Sequence, residues 1–115
     1  MAGSKGSRYT REECILGLEA YMYVKKSGMS IKKTHPVLVD LEEYYREHLT
    51  PRPIASITYL MHNYQYQDTR GKEGLANIST MALTVWEQYY DPKKQAIDES
   101  RLIADADVIR ERSKP

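Results

Sequence analysis

The sequence predicts an all-α fold: a small bundle of about four helices followed by a weakly helical C-terminal tail. Three observations predict it. Apolar residues recur three and four positions apart in successive stretches, each stretch is bracketed by helix start and stop residues, and no stretch of any length alternates with the strand period. The 115 residues make one domain, and a composition 41% hydrophobic and 29% charged is that of a chain able to bury a core. Residues 1–8 are rich in Gly, Ser and Lys and are expected to be a disordered leader, without the apolar run of a signal peptide. The domain itself is expected over residues 9–92, and residues 93–115 as an amphipathic or partly disordered tail.

The first helix should start at Thr10, because Thr10-Arg11-Glu12-Glu13 fits a capping box. Cys14, Ile15, Leu18, Tyr21 and Met22 then give one buried stripe, and Gly28 is a stop. Residues 25–34 read as a basic loop. Pro36 suits the first turn of the second helix, whose stripe is Val37, Leu38, Leu41, Tyr44, Tyr45 and Leu49. Thr50-Pro51-Arg52-Pro53 ends it and opens the third, carried by Ile54, Ile57, Leu60, Met61 and Tyr64. Residues 66–79 are a loop in which Gly71 and Gly74 supply backbone angles that other residues resist. Ser79 or Thr80 caps the fourth helix, where Leu83, Trp86 and Tyr90 should point inward beside Met81 or Val85, until Asp91-Pro92 stops it. In the tail, Leu102, Ile103, Ala106 and Ile109 keep helical spacing among charges.

Several classes of chemistry have no residues to carry them. His35, His48 and His62 pair with no other ligand at metal spacing and read as surface or capping histidines. Cys14 lies on an apolar stripe and reads as a buried, inert thiol. No nucleotide-binding or nucleophile-elbow pattern occurs, and Arg70-Gly71-Lys72-Glu73-Gly74 reads as a connector between helices. The expectation is a non-enzyme without cofactor or metal. A single cysteine argues for a reducing, cytoplasmic setting, and no apolar run is long enough for a membrane span.

The net charge of +1 argues against unspecific coating of phosphates, but the charge is segregated. Residues 1–35 carry seven lysines and arginines against three acids, and residues 36–50 carry four acids against one arginine. Ten tyrosines and no phenylalanine exceed what such a core can enclose, and rings with polar tips favour half-buried and interface positions. Tyr59, Tyr64 and Tyr66 are the tyrosines expected at an exposed surface.

Several pieces fall in one order. Tyr9-Thr10-Arg11-Glu12-Glu13 opens an amphipathic helix and His35-Pro36 opens the next. Ala55-Ser56-Ile57 and Asn63 lie on the third, Gly71-Lys72-x-Gly74-Leu75-x-Asn77-x-Ser79 follows, and Trp86-Glu87 lies in the fourth. Over residues 9–90 this order resembles the N-terminal helical domain that precedes HNH nuclease domains in many bacterial restriction-type endonucleases. The resemblance implies a helix-turn-helix or Myb-like three-helix module that brings a nuclease to DNA. No residues after 90 could supply an HNH metal site, so it implies targeting without cutting.

A short turn between the second and third helices is also what a helix-turn-helix needs, with the second of the pair offered to the major groove. The outward residues of the third helix would then be Arg52, Ser56, Thr58, Tyr59, His62 and Asn63, of types that bond base edges. Lys25, Lys26, Lys32, Lys33, Arg70 and Lys72 would hold phosphates. The partner expected is double-stranded DNA. The alternative is a protein-interaction module or regulator that uses the tyrosine-rich surface, or a homodimer formed through the amphipathic segment 97–109.

Overall fold

The computed structural model describes residues 8–114. In chain order it has α1 (Arg11–Ser27), α2 (Pro36–His48), α3 (Ile54–Asp68), α4 (Thr80–Tyr89), β1 (Tyr90–Asp91), β2 (Ala96–Ile97) and α5 (Glu99–Ser113). The all-α expectation holds. The predicted leader lies outside the described residues, except for Arg8.

Helices begin where local chemistry places them. Both halves of the capping box form at Thr10: Glu13 N donates to Thr10 Oγ1 at 3.1 Å, and Thr10 N to Glu13 Oε1 at 2.9 Å. Gly28 closes α1 with a left-handed φ of 73°. Ahead of Pro36, buried His35 caps α2 by accepting from Val37 N at Nδ1. Ser79 Oγ caps α4 by accepting from Ala82 N at 3.1 Å.

α1 is the axis of the bundle, in contact with α2, α3, α4 and α5. The expectation of a single buried stripe is therefore overturned: residues 13–22 are buried without a break. A helix enclosed by others buries its whole circumference. Glu13 and Glu19 can lie inside because Arg52 and Arg110 reach them from α3's leading segment and from α5. At Gly17 a Cβ would stand 2.7 Å from Leu60 Cδ2, so this glycine lets α1 approach α3 closely. α2 and α3 also pack on each other, completing a trihelical core in which Leu38, Ile57 and Met61 are fully buried.

The tyrosine excess has a structural reason. Tyr21, Tyr45, Tyr64 and Tyr89 are core residues, and each hydroxyl finds an acceptor. Tyr45 donates to Glu13 O at 2.6 Å, Tyr64 to Cys14 O at 2.9 Å, Tyr21 to Asp68 Oδ2 at 2.8 Å, and Tyr89 to Asp105. These rings fill space as phenylalanine would, while their tips tie neighbouring elements together. Tyr64, expected at the surface, is thus wholly buried; Tyr66 is half-buried and Tyr59 is exposed.

α4 turns a different row inward than its spacing suggests. Ala82, Val85, Trp86 and Tyr89 are buried, Leu83 is half-buried and Met81 exposed. The stacking of Trp86 between Tyr64 and Tyr90 sets this rotation. Tyr90 is no longer helical but starts a short antiparallel hairpin, in which Tyr90 pairs with Ile97 and Asp91 with Ala96. The C-terminal segment is more than a weak tail. α5 runs for 15 residues and buries Leu102, Ala106 and Ile109 against the bundle. The boundary drawn at residue 92 therefore divides one packed unit. No helix among the described residues is long and apolar enough to cross a membrane.

Candidate nucleic-acid interface

The polar residues of α3 and of the segment leading into it divide into two groups. Arg52 and Asn63, expected to point outward, are 7% and 4% exposed. Arg52 pairs with Glu13 at 2.6 Å, donates to Arg8 O at 2.7 Å and lies over the Tyr9 ring. Asn63 Nδ2 donates to Leu75 O at 2.9 Å, and Leu75 N donates to His62 O at 3.0 Å. Residues 69–79 therefore fold back along α3 and cover Asn63. Gly74, with φ 88°, makes this approach: a Cβ there would lie 2.6 Å from Tyr66 N. Arg52 and Asn63 are structural residues, and neither can reach a base.

The second group remains accessible to different degrees. Tyr59 is 42% exposed, and Ser56, Thr58 and His62 are half-buried. Thr58 Oγ1 bonds back to Ala55 O at 2.8 Å, Ser56 Oγ bonds Tyr9 OH at 2.8 Å, and His62 Nδ1 lies 3.2 Å from Gln65 Oε1. Beside this strip lies a cleft of about 390 Å³, whose lining includes Tyr9, Tyr59, Asn63, Asn77 and Ser79.

The cations behave differently again. α1 and α3 run in the same sense, so their C-terminal ends meet. Lys25 Nζ pairs with Asp68 at 2.8 Å, and Lys26 with Glu99 at the start of α5. Ser27 Oγ and His35 Nε2 are 3.0 Å apart, which fastens the start of α2 to the same end. Arg70 Nη2 donates to Gln95 Oε1 at 3.0 Å, joining the 69–79 loop to the hairpin turn. The 28–35 loop, the 69–79 loop and the 90–98 hairpin are thus held around one end of α3. They expose Lys32, Lys33, Arg70, Lys72, Lys93 and Lys94 against Glu73, Asp91 and Asp98. Asp91 and Asp98 also accept backbone amides, of Lys93 at 2.9 Å and of Arg101 at 3.3 Å.

Of the six cations singled out in the sequence, Lys32, Lys33, Arg70 and Lys72 lie on this exposed basic end. Lys25 and Lys26 border it but hold carboxylates. Lys93 and Lys94 were missed, because residues after 92 read as tail. The signal for them was the turn chemistry of Asp91-Pro92 between Tyr90 and Ile97.

Two other expectations bear on function. Cys14 is fully buried, and burial pushes its thiol up to about 12, the opposite of an activated nucleophile. The row Ile97, Leu102, Ala106 and Ile109 faces inward, which leaves half-buried Ile103 and exposed Ala104 and Val108 as the apolar residues that a homodimer formed through 97–109 would use. Among the described residues, no cluster of three or more His, Cys, Asp or Glu could hold a metal ion.

Fold and surface together define a small all-α bundle with a central helix and a basic, loop-built end. Compared with family models, curated proteins and solved structures, the chain matches none.

Proposed function

We propose that this chain is a non-catalytic DNA-binding module. It holds the phosphates of a duplex at its basic end and lays a strip of α3, exposed Tyr59 with half-buried Thr58 and His62, along the DNA. One observation carries this reading: three cation-bearing segments, far apart in sequence, are fastened around the C-terminal end of the same helix that bears the strip. Convergent positive charge is what a polyanion selects, since binding releases the counterions condensed on it. Lysines position the duplex, and the hydroxyl and imidazole groups of the strip can bond base edges. The resemblance to the helical domains that precede HNH nucleases supports the same role, that of targeting.

The test is a fluorescence-anisotropy titration of the chain with mixed-sequence duplexes at two salt concentrations. Binding that weakens steeply, with a log–log slope of about −0.9 for each phosphate neutralised, supports the proposal. Absence of binding at low salt overturns it.

A further inference from the structure

We propose that the hairpin turn of residues 92–95, together with Arg70, is a preformed clamp for the phosphates of duplex DNA. The inference rests on the DNA-binding reading and assigns the anchoring contact to residues outside the 25–33 segment.

The turn is built to hold the backbone of its lysines in place. Asp91 Oδ1 accepts from Lys93 N at 2.9 Å and from Lys94 N at 3.4 Å, and the Tyr90–Ile97 pair closes the hairpin below. Ile97 is buried, and Tyr90 stacks on Trp86 with ring centres 6.0 Å apart, so the base of the hairpin is pinned to the core. Arg70 and Gln95 both adopt a left-handed φ of 55°, which non-glycine residues resist, and their side chains meet at 3.0 Å. Paired backbone strain of this kind marks a geometry that the surrounding structure maintains. The result is an edge on which Lys93, Lys94 and Arg70 stand exposed, from segments more than twenty residues apart.

Lys25 and Lys26 are poorer candidates for anchors. Each already holds a carboxylate, Asp68 or Glu99, that binds α1 to a neighbouring helix, and a phosphate would have to displace it. Within the hairpin itself, the aromatic ring of Tyr90 is engaged, lying against Trp86. Its chemistry therefore fits the phosphates of an intact duplex better than single strands, which bind through aromatic stacking.

The experiment compares the wild-type chain with Lys93→Gln/Lys94→Gln and with Lys26→Gln, titrated against one mixed-sequence duplex over a salt series. Far-UV circular dichroism and a urea midpoint establish that each variant is folded. The double variant should bind about tenfold more weakly, with a salt slope reduced by about 2, while Lys26→Gln leaves the slope unchanged. A double variant with the wild-type slope and affinity overturns the clamp while leaving the DNA-binding function standing. A wild-type chain that binds no duplex overturns both. Equally tight binding of single-stranded DNA or polyglutamate at the same salt overturns the assignment to duplex phosphates.

Discussion

Arg52 and Glu13 form a buried ion pair, Nη2 to Oε1 at 2.6 Å, with side chains only 6% and 1% exposed. The same carboxylate accepts from Thr10 N at 2.9 Å and, through Oε2, from Thr50 N at 3.2 Å. One acid thus caps α1, holds the α2–α3 connection and neutralises the arginine, so a capping residue becomes the hub of the N-terminal end of the bundle.

Breaking this pair from one side should be costly, because it strands a charge in the core. Arg52→Ala is expected to lose about 3–5 kcal/mol in urea unfolding. Arg52→Lys should recover only part of the loss, since an ammonium cannot reproduce the planar fork that reaches Arg8 O and Glu13 while lying over Tyr9. A midpoint for Arg52→Ala equal to that of the wild type would show that the residue is not structural.

The last helix should carry global stability. Leu102 is 1% exposed, and Leu102→Ala should cost about 2–5 kcal/mol. Val108, 51% exposed on the same helix, should change stability by no more than about 0.5 kcal/mol when replaced by Ala. Both should unfold in one transition with the rest of the chain. A separate early transition confined to residues 99–113, seen by hydrogen exchange, would mean that α5 is an appendage.

Alkaline conditions should unfold the protein sharply. Burial raises the Cys14 thiol from 9.0 to about 12, and burial followed by the hydrogen bond to Asp105 raises Tyr89 from 10.0 to about 12. Tyr21, Tyr45 and Tyr64 are raised too, chiefly by burial. The folded state therefore keeps protons that the unfolded chain releases. The stability linked to Cys14 and Tyr89 is fully present below their unfolded values of 9.0 and 10.0 and is lost as the pH rises through about 12. Urea midpoints should stay level near neutrality and fall above about pH 9, with buried tyrosines ionising only as the chain unfolds. Thiol alkylation should likewise wait for unfolding. Rapid alkylation of Cys14 at neutral pH in the folded chain would contradict the burial on which this rests.

The parts of the fold legible in the sequence are those decided within a few residues. Thr10 with Glu13, Gly28, His35-Pro36 and Ser79 set helix ends through bonds spanning two to four positions, and the structure keeps all of them. The 102, 106 and 109 spacing likewise revealed the inward row of α5, although not that α1 would be there to cover it. At the candidate interface, the exposed Lys32, Lys33, Arg70 and Lys72 were legible as loop cations, whereas Lys93 and Lys94 were not, because a two-residue strand has no period to detect.

The sequence by itself determined that this chain is helical, where its first four helices begin, and that Cys14 turns inward, since capping and amphipathic spacing are local chemistry. Only the tertiary structure decided that α1 is enclosed on every side, that Arg52 and Asn63 serve the core, and that the basic loops share one end. Those outcomes depend on partners 39 residues away for Arg52, 12 for Asn63 and 25 for Arg70. A polar side chain is indistinguishable in sequence from one in water until its distant partner arrives, because burial and pairing are properties of the packed chain.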